Sequence, residues 1–309
     1  MIQICAIGIL AFTPPAFPGT YVPVDPLGVR AHSSQQEEPA PGSVLSAATE
    51  LPVVTTATEE EVQVMLSFYE SARESGEAVN VIESLQRMEL HDNEGLIEPA
   101  VEALQYRATR TDKRAVAEEA DVLGKTKRGE IAAMVLDLES EVQAAGASVL
   151  ASIPGKKSTG ALMKALKRKD VQADRPLTLA SIIIALGNLG HASAAKQVED
   201  ELKRSRHILI TRASIRYFGQ IKTKDMDVVR ILISMLDSPK PANVDVASNP
   251  PASYWEERWA TWLATRRDVV WTLREITGKT WNPSEGDHAS DSKRALEYVK
   301  ENAKRLGIK

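Results

Sequence analysis

A hydrophobic pattern that repeats along the middle of the chain constrains the fold more than any other feature of the sequence. Between Thr58 and Ser238 apolar residues recur at helical spacing, and short breaks divide them into helices of about three or four turns. Three helices close on Leu150, Leu186 and Phe218, which lie 186 − 150 = 36 and 218 − 186 = 32 residues apart. This period predicts helix pairs that cannot bury a core alone and must stack.

The second helix of each pair repeats in the same register. Leu162 and Val198 each lie 12 residues after the residue that closes the preceding helix, and Leu166-Lys167-Arg168 corresponds to Leu202-Lys203-Arg204 at 16 residues. Two looser copies of the pattern precede these. In one, Leu123-Gly124 is followed by Ile131, Met134, Val135 and Leu138. In the other, Leu85 is followed by Leu96 and Val101. The sequence therefore predicts about five helix pairs, enough for a stable stack.

The best copy, Ala180 to Arg204, carries Leu186-Gly187-Asn188-Leu189-Gly190 at the end of its first helix. In this the chain resembles HEAT-repeat proteins, armadillo-type α-solenoids, of the short bacterial kind, over residues 58–239. The resemblance implies an all-α fold, a right-handed α-α superhelix whose concave face binds a protein partner. HEAT arrays serve mainly as scaffolds and adaptors, so no catalytic residue and no cofactor is expected.

Composition and charge agree with a helical fold and divide the chain into three parts. The chain is 43% apolar but only 5% aromatic, which favours helices packed through aliphatic stripes. Residues 1–149 carry 24 acids and 10 bases, residues 150–224 carry 5 and 15, and residues 225–309 carry 13 and 13, giving −14, +10 and 0, which sum to the net charge of −4. The basic middle is expected to attract an anionic partner or to face the acidic part of the same or a neighbouring molecule.

The N-terminus has the pattern of an export signal followed by a linker. An apolar run from Ile2 to Phe12 is typical of a signal peptide, predicted over 1–31, although no Lys or Arg precedes Arg30. Cleavage after Ala16 and cleavage after Ala31 both fit. Residues 32–57 are rich in Pro, Ser and Glu and predict a disordered linker. These features predict a periplasmic or secreted protein without a membrane span in the mature chain.

The folded body is predicted to begin near Thr58, which caps a helix opened by Glu59, Glu60 and Glu61. The repeat region is predicted to occupy 58–239.

The candidate binding residues in the repeat are basic side chains of the second helices, which commonly line the concave face. They are Lys164, Lys167, Arg168, Lys196, Lys203 and Arg204. A groove of this charge, within the segment 156–224, predicts binding of a polyanion such as nucleic acid. The alternative is structural, since cations at the C-terminus of a helix compensate its dipole.

After a linker at 240–252, a tryptophan-rich extension is predicted over 253–309. One long helix from about Ser253 to Thr277 fits the pattern, with Gly278 as its stop and Trp271 on the opposite face. The apolar face contains Trp255, Trp259, Trp262, Val269, Leu273 and Ile276.

The tryptophan ridge Trp255-Trp259-Trp262 is expected either to belong to a core or cap, or to form an exposed platform for a glycan or a partner helix. A last helix, capped by Ser290 or Asp291 and ended by Gly307, is expected to cover Trp271 and close the stack. The stretch Leu273-x-x-Ile276-Thr277-Gly278 also resembles the tails of HEAT-like proteins of planctomycete type.

No sequence motif predicts catalysis or a metal site. Gly124-Lys125-Thr126 and Gly155-Lys156-Lys157-Ser158 lack the glycine and the preceding strand of a phosphate loop. The five histidines are far apart, and Cys5 is the only cysteine, which excludes an intrachain disulfide and a thiolate zinc site. The sequence therefore favours a protein-binding adaptor first, a polyanion-binding module second and an enzyme last.

Overall fold

The computed structural model describes residues 54–125, 127–238, 252–281 and 288–309, all within one compact unit. The side chains of residues 252–256 and 288–289 are not described. Helices form this part of the chain, and no strand occurs among the described residues, which confirms the all-α prediction. The predicted signal (1–31), most of the first linker (32–53) and most of the second (240–251) lie outside the described residues.

The described part of the chain contains thirteen α-helices. Their bounds are α1 Glu59–Ser75, α2 Ala78–Met88, α3 Ile97–Ala103, α4 Arg110–Val122, α5 Arg128–Ser152, α6 Lys156–Leu166, α7 Lys169–Asp174, α8 Pro176–Asn188, α9 Ala195–Arg204, α10 Ile208–Gln220, α11 Met226–Ser234, α12 Ala252–Thr277 and α13 His288–Leu306.

Five helices lie side by side in a row, in the order α2, α5, α8, α10 and α12, and each packs on the next. A second set packs against this row: α3 lies on α5, α6 on α8, α9 on α10, and α11 on α12 and α13. Helix α8 is at the centre and is apolar around most of its circumference, with Leu179, Ile182, Ile183 and Leu186 fully buried. The core therefore lies between the row and the helices that cover it.

Two of the three residues predicted to close a helix are followed by the same turn. The Leu186 carbonyl accepts a hydrogen bond from the N–H of His191 at 2.9 Å, and the Phe218 carbonyl accepts one from the N–H of Thr223 at 3.0 Å. Each turn passes through a left-handed residue, Gly190 at φ +63° and Lys222 at φ +48°. The sequence alignment of these two helix ends is thus confirmed at the level of backbone geometry.

The third such residue, Leu150, is followed by a different turn. Position 154, which is equivalent to Gly190 and Lys222, is proline, whose ring fixes φ at about −65° and so excludes the left-handed conformation. The chain instead leaves the helix through Ile153 in an extended conformation and turns at Gly155, φ +150°.

Glycines set the spacing within the row. A Cβ atom on Gly219 of α10 would lie 2.5 Å from Cζ3 of Trp271 and 3.1 Å from the Cα of Thr272, both on α12. A Cβ on Gly187 of α8 would lie 3.2 Å from the Cα of Tyr217 on α10. Both glycines directly follow a helix-closing residue, so the sequence repeat also repeats a close backbone approach between neighbouring helices.

One predicted repeat border is wrong. Ile131–Leu138 was expected to be the second helix of one pair, and a new helix was expected to close on Leu150, but both belong to the uninterrupted α5. No proline interrupts the stretch between them, and Gly146 does not break the helix. It serves close packing instead, because a Cβ there would lie 2.7 Å from the Ala100 carbonyl oxygen of α3.

The start of the folded body follows the predicted pattern with a small shift. Thr58 caps α1, as predicted, and the structure adds a capping box with Glu61. The preceding residues are not free linker, because the N–H of Thr55 donates to the Leu90 carbonyl at 2.8 Å and Ala57 is buried. Residues 55–57 therefore belong to the folded part.

The C-terminal helices match their predicted ends but not every predicted role. Helix α12 ends at Thr277, and Gly278 is left-handed at φ +68°, as expected. Helix α13 starts at His288, earlier than the predicted cap at Ser290 or Asp291, and Asp291 is instead buried in an ion pair with Arg266. Trp271, which was expected to be covered, keeps 38% exposure.

The equivalence of Gly190 and Lys222 predicts opposite effects for two substitutions. Lys222 is the only described non-glycine residue with a positive φ, a conformation that costs a side chain about 1 kcal/mol. Lys222→Gly should therefore raise the free energy of unfolding by about 0.5–1 kcal/mol, measured by urea denaturation.

Gly190→Ala is the mirror control, and a loss of about 1 kcal/mol is expected from it. A Cβ at Gly190 meets no atom within 4 Å, so the change isolates the backbone conformation from packing. Equal stability of all three proteins would contradict the assignment of strain at Lys222.

Candidate binding surfaces

The six basic residues singled out by the sequence lie on α6 and α9 and at the turn that follows α6. Five of them are exposed, and Arg168 is partly buried. Arg168 donates to Asp170 through Nε at 3.1 Å and Nη2 at 2.7 Å, and its Nη1 donates to the Leu104 carbonyl at 2.6 Å. It joins the end of α6 to the end of α3 and acts as a structural residue.

The cations of α9 are paired with carboxylates of the same helix. Lys196 lies 3.2 Å from Glu199, Lys203 also pairs with Glu199, and Arg204 lies 2.8 Å from Glu201. Hydrogen bonds from Lys203 hold the pKa of Glu199 below its ordinary value, so this carboxylate stays ionised at neutral pH. A structural role, which is ion pairing with carboxylates of their own helix, therefore accounts for Lys196, Lys203 and Arg204.

The lysines of α6 differ from those of α9. Lys156, Lys164 and Lys167 are exposed, and no ion pair holds them within the part of the chain that the structure describes. At 100° per residue they fall within about 80° of arc, so they share one side of the helix. We call Lys156, Lys164 and Lys167 the lysine face. It is the part of the predicted basic surface whose charge is not neutralised locally.

The tryptophan ridge is half-buried where its side chains are described. The rings of Trp259 and Trp262 stack with centroids 5.1 Å apart, and Trp262 Nε1 donates to the Ser238 carbonyl at 2.9 Å. The guanidinium of Arg266 lies 5.4 Å from the Trp262 ring and pairs with buried Asp291. The side chain of Trp255 is outside the described residues. Trp262 thus covers a buried ion pair, while one side of the ridge still meets solvent.

A polar cleft of about 420 Å³ opens between α1, α3 and the loop before α4. Its lining includes Tyr69, Arg73, Glu102, Tyr106 and Arg107. The cations are matched, because Arg73 lies 2.6 Å from Glu102 and Arg107 lies 3.1 Å from Glu139. Burial raises the pKa of both tyrosines, so their phenols remain donors at neutral pH. The cleft can hold a polar group by hydrogen bonds but presents no activated nucleophile.

Behind this cleft, Glu139 of α5 is the centre of a buried charge cluster. It accepts hydrogen bonds from the N–H of Ala108 at 2.9 Å and from Arg175 at 2.5 Å, in addition to Arg107. Burial opposes its ionisation, but these hydrogen bonds outweigh burial and hold its pKa below the ordinary value of 4.5. Asp170 completes the cluster, lying 2.7 Å from Arg107 and 3.6 Å from Arg175.

A second cleft, of about 320 Å³, lies beside α5 at the N-termini of α8 and α10. Asp137 and Glu141 of α5 line it, with His207 on the opposite wall. Burial raises the pKa of Glu141, and the charges of Asp137 and Glu119 raise it further. Burial also lowers the pKa of His207, which is neutral at pH 7. The remaining lining residues are Ser140, Pro176, Leu177 and Leu209.

The α4–α5 hairpin is a surface that the sequence reasoning missed. Every buried residue of α5 lies between Glu139 and Leu150, and none of residues 128–138 is buried. Val122 and Leu123, at the end of α4, are 87% and 55% exposed. The signal was present in the sequence as the apolar run 131–138, but the assumed repeat assigned that run to a core.

Two further properties concern the described residues alone. No group of three or more His, Cys, Asp or Glu side chains is arranged there to hold a metal ion. None of the helices in the described ranges has the length and apolar character needed to cross a bilayer.

No protein-family model matches the sequence. No curated protein is significantly similar to it.

The charge cluster at Glu139 predicts a large stability effect. Glu139→Gln leaves Arg175, which is 3% exposed, without its closest carboxylate, and should lower the free energy of unfolding by about 3–5 kcal/mol in urea denaturation at pH 7. Because the folded-state pKa of Glu139 is lowered, its contribution is present above about pH 4 and is lost as pH falls through that pKa. The variant should therefore approach the wild type in stability at acid pH.

Glu141→Gln is the matched control, two residues along the same helix. Glu141 forms no ion pair in the described part of the chain, and its pKa is raised by burial and by the charges of Asp137 and Glu119, so its neutralisation should not destabilise the protein at pH 7. Similar losses from both substitutions would contradict a special role for Glu139.

Proposed function

We propose that this chain is an exported, non-catalytic protein-binding scaffold, built as a HEAT-like right-handed α-α superhelix with a C-terminal cap that contains the tryptophan ridge. Its partner is a protein that binds along the helices stacked on the row α2, α5, α8, α10 and α12. The single observation that carries the proposal is this row, together with the identical turns after Leu186 and Phe218. Stacked helix pairs of this kind offer a long continuous surface and no enclosed reaction chamber.

The pairing of charged groups in the polar cleft supports binding over catalysis at that place. The polar cleft contains arginines already matched by Glu102, Glu139 and Asp170, and tyrosines whose phenols are held protonated. Groups tied to one another in this way stabilise the fold, whereas an acid–base catalyst needs a titratable group poised near the working pH. The arrangement is that of a structural network.

The second candidate function is polyanion binding, and the lysine face favours it. Lys156, Lys164 and Lys167 present charge that no described carboxylate neutralises. Phosphate or sulfate groups spaced along a chain would bind such a strip with strong dependence on salt. The paired cations of α9 contribute little to this candidate.

Affinity capture followed by reconstitution tests the two candidates. The wild-type protein and Lys164→Glu/Lys167→Glu are used to capture binding partners from the envelope fraction of the host, and each captured protein is purified and titrated against both. The scaffold proposal expects a stoichiometric protein complex. The polyanion candidate expects retention on heparin, with a salt slope that falls by about 2 when two lysine contacts are removed.

Lys293→Glu/Lys300→Glu is the matched control. Both lysines are exposed on α13 and form no ion pair in the described part of the chain, so the charge change is the same at a different place. Equal loss of binding in both double variants would mean that net charge, and not the lysine face, drives the interaction. Absence of any stoichiometric protein complex would contradict the scaffold proposal.

Export has its own test. Mass spectrometry of the protein made in its host should find an N-terminus at Phe17 or His32, the two positions that follow the predicted cleavage sites. Recovery of the chain with Met1 intact would contradict export and strengthen the polyanion candidate.

A further inference from the structure

The α4–α5 hairpin, described over residues 110–125 and 127–138, stands apart from the packing of the row. Helix α5 has 25 residues, and its first part, 128–138, contains no buried side chain, whereas 139–150 contains all of its buried residues. That first part spans about 16 Å at 1.5 Å per residue. Helix α4 packs along α5, with Val116 and Ala120 buried. We call residues 110–125 and 127–138 the arm.

Apolar side chains of the arm remain in contact with solvent. Val122 is 87% exposed and Leu123 is 55% exposed. Five further large apolar residues of α5 are partly exposed: Ile131, Met134, Val135, Leu136 and Leu138. Large apolar side chains grouped on one element mark an interaction site more often than chance exposure does.

The charge beside this apolar face is negative and unmatched. Asp137 and Glu141 lie on the same side of α5 as Met134 and Leu138, since Met134, Leu138 and Glu141 fall within about 60° of arc at 100° per residue. Neither carboxylate, nor Glu119 of α4, takes part in an ion pair among the described residues. The basic residues of the arm lie outside this carboxylate cluster: Arg110, Lys113 and Arg114 at the start of α4, and Lys125, Lys127 and Arg128 at the tip that follows Val122 and Leu123.

The cleft of about 320 Å³ continues this surface toward the row. Asp137 and Glu141 form one wall, and Pro176, Leu177 and Leu209 supply apolar atoms from the N-termini of α8 and α10. A long side chain with an apolar stem and a cationic end fits such a lining, because the stem packs on the apolar atoms while the end meets the carboxylates.

We propose that the arm is the docking site for a basic amphipathic helix of a partner protein, whose apolar stripe covers Val122, Leu123, Met134 and Leu138 and whose Lys or Arg side chains meet Asp137 and Glu141. This inference rests on the proposed scaffold function and names the chemistry of its partner. Helix-in-groove recognition of this type reads apolar residues at i, i+3, i+4 and i+7 and uses charge for orientation.

A second copy of the chain is the less favourable occupant. An arm-to-arm contact whose two-fold axis passes through Asp137 and Glu141 brings these carboxylates against their own images, and like charges facing each other across an interface cost several kcal/mol, on the order of 2 or more. A basic helix meets no such repulsion. The charge of the face therefore selects a heterologous, cationic partner.

The test uses the full chain and a designed probe. The probe is an 18-residue Leu/Lys helix with Leu at i, i+3, i+4 and i+7, compared with a permuted peptide of the same composition and with a Leu/Glu analogue. Fluorescence anisotropy should show binding of the amphipathic basic peptide at least about 10-fold tighter than of the permuted one, and none of the acidic analogue. Equal binding of the basic and permuted peptides, or binding of the acidic analogue, would overturn the proposal.

Two arm variants locate the site. Asp137→Lys/Glu141→Lys should weaken binding about 10-fold or more, and Val122→Ser/Leu123→Ser should weaken it about 5-fold or more. Both change exposed residues, and thermal melting verifies that the fold is kept. Glu297→Lys/Glu301→Lys is the matched control, with the same charge change at the same i, i+4 spacing on exposed positions of α13, and binding within about 2-fold of wild type is expected.

The outcomes also separate this inference from the scaffold proposal. If a captured protein partner binds the arm variants as tightly as the wild type, the arm is not its docking site, while the scaffold function stands. If sedimentation shows a wild-type dimer that Val122→Ser/Leu123→Ser abolishes, a second copy occupies the arm and the cationic partner is excluded. If neither a protein complex nor peptide binding is found, both proposals fail.

Discussion

The close approach of neighbouring helices in the row governs the rest of the structure. At Gly187 and Gly219 the backbones come so near that a single methyl group would meet the next helix, and both glycines stand directly after a residue that closes its helix. Each helix of the row that ends in this junction must therefore lie at the same distance from the next helix of the row. The covering helices α6 and α9 then have fixed positions, and their outer sides become the available surface.

Buried ion pairs join segments that packing alone would leave in several registers. Glu139 connects α5 to Arg107 and Arg175, and Asp268 of α12 receives both Arg212 and Arg216 from α10. A buried charge without its partner is costly, so a slipped register of these helices is strongly disfavoured. Ion pairs also neutralise much of the positive charge of residues 150–224. The total charge of that segment therefore overstates how basic its surface is.

Local signals in the sequence predicted much of this architecture, and long-range pairing escaped it. Thr58, Gly190 and Gly278 act within one turn of their own helix, and each was assigned correctly because caps and left-handed turns depend on adjacent residues. The buried partner of Asp291 is Arg266, 25 residues away, and no spacing rule connects them. Likewise, α5 was divided because its apolar run fitted the period, although only tertiary contacts decide which part of such a run is covered.

The arm has a consequence for local stability. Its α5 segment contains no buried side chain, so few contacts oppose its opening, and a segment of this kind unfolds at a lower free energy than the core of the domain. Amide hydrogens of residues 128–138 should then exchange through fraying of the arm, while those of α8 exchange only when the whole domain unfolds. A ligand bound to the arm would slow hydrogen exchange in residues 128–138 and leave exchange in α8 unchanged. The protein can therefore order a binding element without any change in the stability of its core.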